Sequence, residues 1–496
     1  MNRQIARLAL VSLGLLASLV VATTYWQAWA TGGLADRQDN AIQRVAQFAI
    51  ERGEFFAGDG KTVLARSVPQ EVGGRTLWFR RYPLGGLAAH AVGYSTQSRS
   101  RAGLERSLNV YLTASNANLS TVVERTLDRL QGRTVRGNDV VLTLDAKAQR
   151  VALEALGSRC GAVVALEPAT GKVLVLASAP TYNPNLVEGK FGLISRIEAD
   201  CTRPSPLVNR ATAGLYVPGS IFKVVTAAAA LDSRRYTPES AFVDKGYCIE
   251  YGKKVSNFAD QSGPEVFGRV DFAYALTHSI NSVFCEVGKE LGAGVVLDYA
   301  KRFGFYSTPP LDTPAAERRP SGLYRKGELF DPEDPGSEVD PGRLAFGQER
   351  LGVTPLQMAM VTAAIANDGI VMKPYLVDRI LSPSGSSVAR SKPDELRRAI
   401  SPETAATLAH MMEAVVASGT GGGARISGLT VGGKTGTAET GVPGLNTAWF
   451  IAFAGRDRPE VAVAVVLEEQ QGTGGATAAP IARAVLQSLL PSPANP

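Results

Sequence analysis

The hydrophobic pattern changes character several times along the chain. The first change is the sharpest. Leu8 to Ala22 is a nearly unbroken apolar run, no charge occurs between Leu8 and Leu34, and the first acid is Asp36. About twenty apolar residues are what a helix needs to cross a bilayer. The pattern predicts a short cytoplasmic tail over 1–7 and a membrane anchor over 8–30. Arg3 and Arg7 stay inside by the positive-inside rule, and Tyr25, Trp26 and Trp29 suit an outer aromatic belt. A cleaved signal peptide is the rival, because Ala28-Trp29-Ala30 mimics a cleavage site. Either reading exports everything after residue 30, and a retained single-pass anchor is favoured because that site lies far from the apolar core.

Residues 31–138 are mixed. Ala41 to Ile50 has a helical pattern, followed by Arg52-Gly53 and short extended runs. The segment carries no catalytic constellation and is predicted to be a pedestal or interaction domain. From Asp139 the pattern is clearer. Val140 to Leu144 reads as a strand, and Asp145 is placed to cap a helix reaching Leu156. Gly161–Leu166 and Lys172–Ser178 flank the turn residues Glu167 to Gly171, a hairpin signal. Helices are predicted from Pro218 to Leu231, over 354–367 with Gly369 as the stop, and from Ala478 to Leu490. Ala448–Ala454 and Glu460–Leu467 form a late hairpin, and the prolines crowded between Pro309 and Pro341 predict a long irregular loop. Strands at both ends with helices between them predict one α+β domain over 139–496, its sheet joining early and late chain.

Composition narrows the function. The 496 residues carry a net charge of +6 without a five-residue basic run, so a solvated surface is expected and nucleic acid is not a partner. Cys160, Cys201, Cys248 and Cys285 form no C-x-x-C pair, and the histidines are His90, His278 and His410. That inventory has no zinc-ligand spacing, so no metal is expected. An even cysteine count in an exported chain permits two disulfides. Chain order suggests Cys160–Cys201 and Cys248–Cys285, with four free thiols as the alternative.

Three short stretches carry chemistry. In Pro218-Gly219-Ser220-Ile221-Phe222-Lys223 the i, i+3 spacing puts Ser220 and Lys223 on one helix face. A serine needs a base to become a nucleophile, and a lysine serves where a dry setting lowers its pKa. The apolar residues after Lys223 would supply that dryness. Ser279-Ile280-Asn281 offers a relay hydroxyl and an amide to orient a peptide; Ser107-Leu108-Asn109 has the same form but lies in the pedestal and is read as a decoy. His278 is read as a surface or packing residue. Lys434-Thr435-Gly436-Thr437 follows an extended run and reads as a cleft-lining strand. There Lys434 supplies charge, Thr435 and Thr437 hydrogen-bond a carboxylate, and Gly436 leaves room for substrate. Backbone N–H groups of Ser220 and Thr437 would form an oxyanion hole. Gly428 to Thr435 also satisfies the phosphate-loop pattern, but the residues after Thr435 are a poor helix opening. The glycine clusters 421–423 and 472–475 are read as loops.

S-x-x-K, S-x-N and K-T-G in this order resemble the signature of β-lactamases and penicillin-binding proteins, with Ile280 at the middle of the second element. The flanks Gly161 to Pro168, Val217-Pro218-Gly219-Ser220, Phe346-Gly347-Gln348 and Ala448-Trp449-Phe450 resemble the transpeptidase family too. The anchor and the Arg52-Gly53 segment resemble the pedestal of class B enzymes, most closely the penicillin-binding protein A type. The resemblance implies an α+β transpeptidase fold: an antiparallel sheet flanked by helices, an all-α lobe, an N-terminal membrane helix and a small pedestal. It implies a D,D-transpeptidase that joins D-Ala-D-Ala stem peptides of peptidoglycan through a Ser220 acyl-enzyme, with Lys223 as base, Ser279 and Lys434 serving the leaving group, and Asn281 orienting the peptide. β-Lactams would acylate Ser220, and no cofactor is needed. The region before residue 139 is too short for a glycosyltransferase, which implies a SEDS-type glycan polymerase as membrane partner. A carboxypeptidase, a β-lactamase and a non-catalytic penicillin-binding sensor are the alternatives.

Overall fold

A computed structural model describes residues 2–25, 47–115, 126, 130–131, 134–260 and 263–490. Trp26, Trp29, the Ala28-Trp29-Ala30 site and most of the helix expected over 41–50 lie outside the described residues. The first element is a helix, Asn2–Thr24, whose stretch Arg3–Thr24 has mean hydropathy 2.3 and is not buried by any other described residue. By length and composition it is able to span a membrane.

The five-stranded core sheet is antiparallel, in the order Thr430–Glu439, Asn446–Gly455, Pro459–Gln470, Gly161–Leu166, Val173–Ala179. Early and late chain do share it, and both expected hairpins are present. Its inner strands are continuously apolar because both faces are covered. Ala162, Val164 and Leu166 join one core with helix Pro355–Ile365, while Val163 and Ala165 join another with helices Ala146–Leu156 and Gly474–Leu489. Asp145 caps Ala146–Leu156 as expected, its side chain accepting from the Ala148 N–H. The last helix starts at Gly474 rather than Ala478. The proline-rich loop 309–341 contains a short ladder, Gly322–Arg325 with Glu328–Leu329. Helices Lys223–Asp232, Phe272–Thr277, Asn281–Leu291, Ala293–Arg302 and Pro402–Ala417 pack together as an all-α lobe. Both disulfides, Cys160–Cys201 and Cys248–Cys285, are formed.

The pedestal expected over 31–138 does not complete a sheet by itself. Its strands belong to a six-stranded sheet, Ser387–Arg390, Val377–Leu381, Asp139–Leu142, Phe55–Phe56, Val63–Val72, Arg75–Arg81. Asp139–Leu142, expected to open the transpeptidase domain, pairs parallel with Phe55–Phe56 and antiparallel with Val377–Leu381. A two-residue strand and a hairpin cannot bury a face alone, so the pedestal borrows one strand that precedes the three motifs and one that lies between the second and the third.

Glu105 lies at the heart of this region, fully buried between two arginines. Its Oε2 accepts from Arg52 Nη2 at 2.9 Å and its Oε1 from Arg80 Nε at 2.5 Å. Arg52 Nη1 also donates to Asn109 Oδ1 at 2.6 Å. Asn109, the amide of the decoy motif, is thus a structural partner of the pedestal.

Candidate active site

Ser220 lies on a short 3₁₀ turn, Gly219–Phe222, that leads into helix Lys223–Asp232. The helix is buried from Lys223 to Leu231, the dry setting the sequence predicted. The turn is fixed from several sides. The Trp449 indole donates to the Val217 carbonyl at 3.0 Å, and the Gly219 N–H to the Gly347 carbonyl at 3.1 Å. Gly347 has φ +82°, and a Cβ there would fall 2.1 Å from the Gly219 carbonyl oxygen. The Phe346-Gly347-Gln348 segment therefore works as a backbone brace for the Ser220 turn.

The second and third motifs converge on Lys223. Its Nζ donates to the Ser279 carbonyl at 2.6 Å and to Asn281 Oδ1 at 2.7 Å, with Ser279 Oγ at 3.3 Å. Lys434 Nζ reaches the same Ser279 Oγ at 2.7 Å and the Thr435 carbonyl at 3.0 Å. One hydroxyl thus bridges two fully buried lysines. Ser279 has φ +60°, a strained left-handed backbone that aims both its carbonyl and its hydroxyl at the lysines. Burial disfavours both ammonium charges. Lys223 is held well below the usual lysine range, by burial first and then by repulsion from Lys434. Burial lowers Lys434 to about 7.

Lys434 stands mid-strand in Thr430–Glu439, so no helix opens at Thr435 and the phosphate-loop reading fails. Thr435 and Thr437 line the cleft, a cavity of about 780 Å³ that also includes Ser220, Ser279 and Asn281. Thr435 Oγ1 lies 2.7 Å from Thr420 Oγ1, and Thr437 Oγ1 accepts from the Gly474 N–H at 3.3 Å. Thr420 and Thr473 line the cleft as well, although the glycine clusters beside them were read only as loops. Their signal was a threonine abutting each glycine run, where backbone can approach closely. His278 is half-buried on the cleft wall, stacked on Tyr274 with ring centroids 4.1 Å apart.

Gly436 requires a correction. A Cβ there would fall 2.9 Å from both the Pro218 carbonyl oxygen and Ile221 Cγ2. Strand alternation turns this position away from Thr435 and Thr437, toward the turn that carries Ser220. The glycine makes room for the backbone of the Ser220 turn, not for substrate. Gly436→Ala is expected to fold, to lose about 1–3 kcal/mol by overpacking, and to slow penicillin acylation at least about tenfold by shifting Ser220. Melting curves and acylation time courses check it; unchanged acylation would mean the turn absorbs the methyl.

Comparison with known proteins places this geometry. Residues 161–487 match the family "Penicillin binding protein transpeptidase domain", and 52–140 match "Penicillin binding protein A dimerisation domain". The chain is 36% identical over 519 residues to peptidoglycan D,D-transpeptidase PbpA of Mycolicibacterium smegmatis, covering 99% of each. It is 33% identical to PbpA of Mycobacterium tuberculosis, again over 99% of each. Among solved structures, the imipenem acyl-enzyme complex of penicillin-binding protein A from M. tuberculosis superposes with a TM-score of 0.78 at 33% identity, covering 90% of this chain and 99% of that one. Motifs, fold, convergent site and full-length likeness agree: the chain belongs to the penicillin-binding protein transpeptidase family.

Proposed function

We propose that this chain is a membrane-anchored peptidoglycan D,D-transpeptidase working through a Ser220 acyl-enzyme. The carrying observation is the Ser279 hydroxyl held between two buried lysines beside the Ser220 turn. A neutral Lys223 amine has two N–H groups for the Ser279 carbonyl and Asn281 Oδ1, and its lone pair is left for the Ser220 proton. Ser220 Oγ then bonds to the carbonyl carbon of the penultimate D-alanine. The Ser220 and Thr437 N–H groups hold the developing oxyanion, each donor worth about 3–4 kcal/mol of barrier. The peptide C–N bond breaks as the leaving D-alanine nitrogen takes a proton through the Ser279 hydroxyl, which Lys434 polarises. An amine from a second stem attacks the ester, surrenders its proton to Lys223, and Ser220 is released. Thr435 and Thr437 receive the terminal carboxylate. Asn281 Oδ1 positions Lys223, and its Nδ2, anchored by one N–H on the Ser256 carbonyl at 3.2 Å, keeps a second N–H to orient the peptide.

The membrane helix leads with Arg3 and Arg7, which supports a single pass with the catalytic domain outside the cytoplasm. The pedestal (31–138 by sequence, extended by the borrowed strands) is the surface offered to a SEDS-type polymerase in the same membrane. β-Lactams inhibit by acylating Ser220.

The test is intact mass after penicillin exposure, with peptide mapping. One adduct on the peptide holding Ser220 is expected. A D-Ala-D-Ala donor with an added stem amine should give cross-linked product in preference to hydrolysis; hydrolysis alone would favour a carboxypeptidase, and rapid loss of the penicillin adduct a β-lactamase.

The pH profile of acylation follows from the two lysines. The rate rises with pH as Lys223 loses its proton, and falls as Lys434, at about 7, loses its charge. A bell is expected, its limbs belonging to the coupled pair. Lys434→Arg keeps a permanent charge and should abolish the falling limb. A flat profile from about pH 5 to 9 would remove Lys223 from the role of base.

A further inference from the structure

A second cavity, of about 660 Å³, adjoins the cleft, and Phe267 lines both. It is built on the two-stranded ladder that pairs Ala241–Asp244 with Gly268–Asp271, and on the start of helix Phe272–Thr277. Its walls combine two kinds of surface. The rings of Phe267 and Tyr274 supply apolar faces, the latter 42% exposed, while the Phe242 ring is taken up by Tyr236 and Phe272 beneath the ladder. Arg269 and Asp271 stand at the rim, both exposed. The Arg269 guanidinium and the Tyr274 hydroxyl have no hydrogen-bond or ion-pair partner among the described residues, so both remain free to bind a ligand. The wall is continuous with the catalytic cleft through three rings in contact. Phe267 and Tyr274 meet edge to face at 6.1 Å, and each contacts His278, which faces Ser220's cavity.

We propose that this cavity binds the amino-sugar disaccharide to which the donor stem peptide is attached. Aromatic faces beside a free guanidinium, a carboxylate and a phenol fit a ligand with apolar C–H faces and a rim of hydroxyl and acetamido groups. A protein partner's apolar segment would leave those polar groups unpaired. The position also fits. Three to five extended peptide residues reach about 10–18 Å, so a stem whose end lies at Ser220 delivers its sugar to the neighbouring cavity rather than to a remote surface. The naming of the sugar rests on the transpeptidase reading above.

The test uses full-length protein in detergent and two variants outside the catalytic cleft. Arg269→Ala removes the free donor. Val243→Glu places a carboxylate directly across the ladder from Arg269, where it ties up the guanidinium on the same face. The probe is the peptide-free disaccharide of N-acetylglucosamine and N-acetylmuramic acid, followed by saturation-transfer NMR. Wild type should bind it, before and after acylation by penicillin, and each variant should bind about tenfold more weakly. In turnover, KM for a disaccharide-linked donor should rise in both variants while KM for the bare stem peptide and the rate of penicillin labelling stay unchanged. No binding by wild type, equal binding by the variants, or an equally Arg269-dependent binding of bare peptide would each overturn the proposal. Loss of penicillin labelling in wild type would instead strike the transpeptidase reading, leaving the sugar measurement to stand by itself.

Discussion

Ser220→Ala is expected to gain no mass on penicillin exposure and to lose transpeptidation by about 10⁴-fold or more, with the fold intact. Without the hydroxyl no ester forms, and what remains is whatever the groove and oxyanion donors achieve by holding the substrate. Lys223→Ala should fall by about 10² to 10⁴-fold, because a positioned base contributes that much. The double variant should be scarcely worse than Ser220→Ala, since a base without its nucleophile has nothing to activate. Removing Lys223 should not lower the melting temperature in proportion. Its charge is already disfavoured by burial and by Lys434, so its loss relieves one cost as it forfeits two hydrogen bonds. Equal adducts on wild type and Ser220→Ala would sink the site assignment outright.

Glu105→Ala is expected to cause the largest loss of stability. Among the described residues the carboxylate is the sole acid in direct contact with two buried guanidiniums, at 2.9 Å and 2.5 Å. Removing one partner of a buried pair costs about 3–5 kcal/mol, because the other charge stays buried and unpaired. Here two charges would be stranded. At about 2–4 °C per kcal/mol for a unit of this size, the unfolding midpoint should drop by roughly 10 °C. Burial alone would raise the Glu105 pKa, but Arg80 and Arg52 outweigh it and hold it below the usual carboxylate range. Its stabilisation is therefore present above the unfolded-state pKa of about 4.3 and is lost as pH falls through the lower folded value. The variant should flatten the acid limb of the stability curve as it lowers the plateau. A midpoint within about 1 °C of wild type would show that the cluster is not what holds the pedestal sheet to its helix.

Much of this protein was legible before any coordinates. The apolar run to Ala22 gave the helix able to span a membrane. The continuous apolar strands around Val163 and Val463 gave a sheet covered on both sides, and Asp145 gave its cap. These are local or periodic properties, and short-range sterics and burial decide them. The three motifs singled out the groups that the proposed mechanism uses, because a serine, two lysines and an amide have few other uses when they occur together.

What tertiary structure decided was position and partnership. The bridge of Ser279 Oγ between Lys223 and Lys434 joins residues 56 and 155 apart in the chain, and no local rule encodes such a distance. Gly436 was read as room for substrate because strand periodicity says which residues share a face but not what stands opposite; the fold puts Pro218 and Ile221 there. The pedestal's borrowed strands, Asp139–Leu142 and Val377–Leu381, look in sequence like any other β segment. Residue type and period determine which elements form and which chemistry is available, whereas the pairing of distant surfaces is settled only when the whole chain competes for one set of buried contacts.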